Sequence, residues 1–175
     1  MALLVGVTST ALVAAPAVIT GSAYLQRFLN FPTLADFGSP WTNRFVVAYS
    51  AASIERRPLP ETIDPGGRPA KGLHAEVSVN EGWAIALWEP SPDWRGFRRL
   101  VFEIVNPTDA PLRLSVHIRD RNQSKDRRSG YQAQLEFPPR SRQTRSIELL
   151  QLATANGRAR VDTRIVNSLV LKRSP

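Results

Sequence analysis

His74 and His117 are the only imidazoles in the sequence, and it contains no cysteine. A thiol nucleophile, a disulfide framework and a Cys-ligated zinc or iron–sulfur centre are therefore excluded. Two imidazoles are also too few for a His-rich metal site, so no cofactor is expected. Neither histidine belongs to a G-x-S-x-G elbow or an H-E-x-x-H pair, and no P-loop or G-x-G-x-x-G turn occurs. Glu103, Glu136 and Asp120 have the chemistry of glycosidase carboxylates, which must stand about 5–10 Å apart across a cleft. Nothing in their spacing brings them together. The sequence is that of a binding protein, not an enzyme.

Residues suited to binding concentrate between 113 and 132. Leu112 to Arg119 alternates, with an apolar side chain at each even position from 112 to 118. Arg113, Ser115, His117 and Arg119 therefore share one face of a strand, with Asp120 at its end. From the following strand, Tyr131 or Gln132 joins them, depending on register. Aromatic rings stack on sugar C–H faces, while Arg, His, Gln and Asp exchange hydrogen bonds with hydroxyls. Arg113, His117, Arg119, Asp120, Tyr131 and Gln132 form the candidate saccharide site, against the plainer expectation of a solvated face. Trp83 and Trp88, five apart on one strand, point to opposite faces, so at most one is exposed for stacking. Trp94 is expected to be a packing residue.

A polar loop over Asp120–Gly130 offers a second, charge-driven site. Arg121, Lys125, Arg127 and Arg128, interleaved with Asn122, Gln123 and Ser124, suit an anionic polymer or lipid headgroups. No aromatic is interleaved before Tyr131, which disfavours single-stranded nucleic acid. The wider charge distribution agrees. The net charge is +8, yet Ser91–Pro175 carries 17 basic and 8 acidic side chains while Met1–Pro90 carries 6 and 7. A basic second half suggests nucleic acid, an anionic membrane surface or an acidic polymer; the bland alternative is simple decoration of strand edges and turns.

At 175 residues the chain has room for one domain of ordinary size. Three segments are expected: an apolar helix over 1–27, a connecting segment over 28–70 and a β-sandwich over 71–175. No charged side chain occurs from Ala2 to Gln26. That run is long enough to cross a bilayer core of about 30 Å, or to serve as a secretory signal cut near Gly21-Ser22-Ala23; its lack of a polar face argues against a third reading, an ordinary buried helix. Within 28–70, a short early strand is expected at 44–49, ahead of a Pro- and Gly-rich linker from Arg57 to Pro69. After it the period becomes two, giving strands at 73–79, 83–88, 99–106, 112–119, 131–137, 143–149 and 164–172, with a turn or short helix near 150–155. Short strands at roughly 8–12-residue spacing with almost no helix make an all-β, antiparallel sandwich or jelly roll.

The run Asp93-Trp94-Arg95-Gly96-Phe97 leading to Ile104-Val105-Asn106-Pro107 resembles the Trp-x-Gly-aromatic corner and central strand of galactose-binding-like, carbohydrate-binding-module-like jelly rolls. Arg119-Asp120-Arg121, Tyr131 and a late turn at Val161-Asp162 extend the likeness. With Tyr24 to Arg27 and Phe31 to Phe37 ahead of it, the whole is most similar to the extracytoplasmic C-terminal domain of VanZ-like bacterial membrane proteins. That resemblance implies a last transmembrane helix followed by a non-catalytic, glycan-binding sandwich facing the periplasm or cell exterior. The ligand would be a cell-envelope or exported polysaccharide. An envelope protein partner without sugar binding, or secretion if the first segment is cleaved, are the alternatives.

Overall fold

The alternation of apolar and polar side chains is realised strand by strand in the computed structural model, which describes residues 2–31, 33–35, 45–49, 52–58, 71–77, 82–88, 93–122, 130–153, 161–164 and 166–173. Helix α1 (Ala2–Leu29) is followed by β1 (Val46–Tyr49), β2 (Ala52–Pro58), β3 (Lys71–Val77), β4 (Ala84–Trp88) and β5 (Arg99–Asn106). Then come β6 (Leu112–Asp120), β7 (Tyr131–Phe137), β8 (Ser141–Glu148), the single turn α2 (Leu150–Ala153) and β9 (Val166–Arg173). The expected strands are therefore present, shifted by at most a few residues. The one addition is β2, which falls where only a connecting segment was expected; it pairs antiparallel with β3 from Ala52↔Val77 to Pro58↔Lys71.

Two antiparallel layers form the sandwich. One has the order β1-β4-β9-β6-β7, the other is the pair β5-β8. Even-numbered Leu100 and Phe102 of β5, with Ile147 of β8, pack against Val116 and Ile118 of β6 and Leu169 and Leu171 of β9. Trp94 is 3% exposed within this core, as the Trp-x-Gly corner leads one to expect. Gly96 at that corner has φ +84, a conformation that glycine adopts without the steric cost of a Cβ. A second cluster, around Trp83, Leu114 and Phe137, fills the opposite end.

The end of β5 is pinned by one side chain. Asn106 is 1% exposed. Its Nδ2 donates to the carbonyls of Ala110 (2.9 Å), Phe137 (3.3 Å) and Pro138 (2.9 Å), and its Oδ1 accepts from the Thr108 N–H and hydroxyl. The turn after β5 and the end of β7 are held together through it.

Helix α1 reaches the sandwich. Among the described residues no helix is long and apolar enough to cross a membrane, and side chains of α1 are described only from Ala15 onward. The expectation of a membrane-spanning anchor gains no support from them. The last turns of α1 dock: Ala23 is buried against Phe45 and Leu87, and Tyr24 meets Phe45 edge-on at 5.3 Å. Arg27 is 1% exposed; its Nη1 donates to the Thr33 carbonyl (3.1 Å) and its guanidinium lies 5.2 Å from the Phe31 ring centre.

Candidate functional site

Strand pairing decides which side chains meet on the face of the five-stranded sheet turned away from the core. The registers Tyr49↔Ala84, Ala84↔Lys172, Ser115↔Lys172 and Ser115↔Gln134 make one row across the sheet. A second row runs Val47, Ala86, Val170, His117, Gln132, and a third Trp88, Ser168, Arg119. Side chains in adjacent positions of a row stand about 4.5–5.5 Å apart at Cβ, so each row is a continuous strip. Its middle is recessed: Ser115, His117, Ser168 and Ala86 are buried although they face away from the core. Trp88 and Tyr49 at one side are exposed aromatics, at 42% and 43%.

This lattice sorts the residues expected from sequence. His117, Arg119 and Gln132 come together, with Gln132 directly opposite His117. Arg113 shares their face one row beyond, where its Nε donates to Glu136 at 2.9 Å. Tyr131 does not join them. Its partner is Ile118, so register places it on the other face, packed against the core. Asp120 is not presented to solvent either: it is 3% exposed and accepts from the N–H groups of Asn122 (2.9 Å) and Asp162 (2.7 Å). Its geometry is that of a pin between the end of β6 and the 161–164 turn. Arg121 is exposed beside this turn, while Lys125, Arg127 and Arg128 lie outside the described residues. Tyr49, Trp88, Ser168, Lys172 and Gln134 were not anticipated as members of the face.

The three carboxylates considered for glycoside chemistry do not converge. Glu103 belongs to β5 and pairs with Arg142 at 2.9 Å, Glu136 belongs to β7, and Asp120 is the buried pin. Among the described residues the one group with metal-ligand chemistry is Glu55, His74 and Glu76, whose ligand atoms lie within 4.8 Å of one another on the β2–β3 pair. The Arg57 guanidinium already bridges Glu55 and Glu76, supplying the positive charge that a cation would bring.

Burial, reinforced by the positive charges of Lys172 and Arg119, pushes the His117 imidazole from 6.5 down to about 4. It is therefore neutral near pH 7, able to donate through one nitrogen and accept through the other. Around it stand Ser115 and Arg119 on its own strand, Gln132 on β7, and Val170 and Lys172 on β9. Its stabilising contribution is complete above about pH 6.5, where folded and unfolded chains are both neutral. It falls as pH drops toward 4, because only the unfolded chain takes up the proton. Asp93 and Asp162, each held near 2 by the bidentate Arg95 and Arg164, act in a lower window, below 3.8. Thermal denaturation between pH 6.5 and 4 should show a fall in Tm that is shallower in His117→Gln; equal slopes would place the proton uptake elsewhere.

With this geometry in view, comparison with known proteins concerns fold. No protein-family model matches the chain, and no curated protein matches it. Among solved structures, an exo-beta-agarase superposes over 74% of this chain with a TM-score of 0.59 at 15% identity. The two share a fold. The match takes up 21% of the agarase, so this chain spans about a fifth of that enzyme's length. The family 11 carbohydrate-binding module from Clostridium thermocellum, solved with a beta-1,3-1,4-mixed-linked tetrasaccharide, matches at 13% identity and a TM-score of 0.48, over 74% of this chain and 78% of that one. A solution structure of the module CtCBM11 matches at 13% and 0.45, over 74% and 78%. Identities this low speak to the course of the backbone and leave side-chain chemistry to be argued from the face itself.

Proposed function

We propose that this protein is a non-catalytic carbohydrate-binding β-sandwich whose glycan site is the outward face of β1-β4-β9-β6-β7. The observation that carries the reading is the composition of the three rows. Trp88 and Tyr49 offer flat apolar surfaces on the same face as Gln132, Gln134, Ser115, Ser168, His117 and Arg119. Saccharides present the matching surfaces, C–H faces for rings and hydroxyls for donors and acceptors. A fold shared with part of an agarase agrees with this reading. Recognition here requires no proton transfer, and the carboxylates named above are engaged by arginines or by backbone N–H groups.

Affinity electrophoresis of the full chain through gels containing a neutral β-glucan, agarose or polygalacturonate is the direct test. Retardation by at least one polymer, relative to a polymer-free gel, is expected. Migration unchanged in all three would overturn the reading and leave the face as a surface for another protein.

A further inference from the structure

Resting on the reading above, the arrangement of charge on the same face narrows the class of saccharide. Among the described residues the three rows contain two cations, Arg119 and Lys172, and no carboxylate. The carboxylate nearest in register is Glu136, one row away and engaged by Arg113 at 2.9 Å. Lys172 stands beside Ser115, and Arg119 lies four residues further along β6, beside Ser168. At about 3.3 Å per residue the backbone positions of the two residues are about 13 Å apart along the strands, with His117 between them. A polymer laid along the strands can present a charge to each of them, where a monosaccharide presents one.

We infer that this face takes an acidic polysaccharide, laid along β6 and β9, with two charged sugars of one chain meeting Arg119 and Lys172. The guanidinium suits a planar carboxylate, which it can grip with two parallel hydrogen bonds, and the ammonium supplies a more adaptable point charge. Trp88, next to Ser168 in the third row, would cover an apolar sugar face beside the Arg119 end. The ligand chemistry is thus a repeating uronate, with stacking setting it apart from a simple polyanion.

Titration of the full chain with polygalacturonate, monomeric galacturonate, a neutral β-glucan and inorganic polyphosphate, at about 0.05 M and 0.5 M salt, tests this. Screening shortens from about 13 Å to about 4 Å over that range, so charge-assisted binding should weaken by an order of magnitude or more. Polygalacturonate is expected to bind at low salt, with galacturonate at least 100-fold weaker. Lys172→Gln should cost about tenfold with the Tm unchanged, and Trp88→Ala should weaken polygalacturonate but not polyphosphate. Neutral glucan binding as tightly as polygalacturonate, with Lys172→Gln silent, would overturn the inference while the glycan reading stands. Polyphosphate binding equally well, with Trp88→Ala silent, would reduce the face to a general anion surface and overturn it too. Failure of every saccharide would remove both readings.

Discussion

Asn106→Asp should unfold the protein or lower its stability by roughly 3–5 kcal/mol, a large share of the 5–15 kcal/mol typical of a domain. The side chain is 1% exposed, and its amide nitrogen faces three carbonyl oxygens, those of Ala110, Phe137 and Pro138. The substitution keeps shape and volume but removes every one of those donations. It also sets a carboxylate oxygen against three carbonyls, so the group must be buried charged and repelled, or protonated with at most one donation restored. Asn106→Ala removes the same bonds without adding charge and should cost less, about 2–3 kcal/mol, chiefly from stranded polar groups. Urea denaturation of the three proteins checks the order. If Asn106→Asp is as stable as the parent at pH 7, the pin does not hold the β5 and β7 ends together.

The second large effect concerns binding, and it comes from two tryptophans at either end of one segment, Trp83 just before β4 and Trp88 at its end. Trp88→Ala should lower polysaccharide affinity by about 2 kcal/mol, close to thirtyfold, because aromatic anchors carry a disproportionate share of interface energy. It should leave the fold intact, since Trp88 is 42% exposed on the outward face. Trp83→Ala should do the reverse. Trp83 is 8% exposed, packed with Leu114 and Phe137, and its truncation opens a cavity worth about 3–5 kcal/mol. Paired gel-retardation and melting experiments separate the two. Trp88→Ala that binds normally would move the saccharide off this face, and Trp88→Ala that fails to fold would make the residue structural.

These two cases also indicate what a reader of the sequence can reach. The opposite facing of Trp83 and Trp88 follows from a period of two within one segment, as does the shared face of Arg113, Ser115, His117 and Arg119. The limits of β5 and β7 coincide with their expected ones because Pro107 closes one strand and Pro138 the other. Strand β2 escapes the pattern. In sequence, Ser53, Glu55, Arg56, Arg57 and Pro58 flank a single large apolar residue, Ile54, and among the described residues the strand pairs only with β3, in a sheet of their own. Tyr131 turned on hairpin register, which no property of either strand fixed by itself. The missing half of the face, Trp88, Ser168 and Lys172, needed knowledge that β9 lies between β4 and β6. Such a pairing joins residues about eighty positions apart, beyond the reach of local periodicity.

The position of β9 has a further consequence, for the order of assembly. Strand β9, the latest in sequence among the described strands, occupies the middle of the sheet, with β4 along one edge and β6 along the other. Without it, the β6-β7 hairpin and the β1-β4 pair, whose strands are separated in sequence by β2 and β3, have unpaired inner edges, and the recess between Trp88 and Arg119 does not exist. The eight described strands before β9 can be synthesised without assembling the face proposed above for glycan. Insertion of a central strand also closes long loops in one step, which favours slow folding and leaves sticky edges open in the meantime.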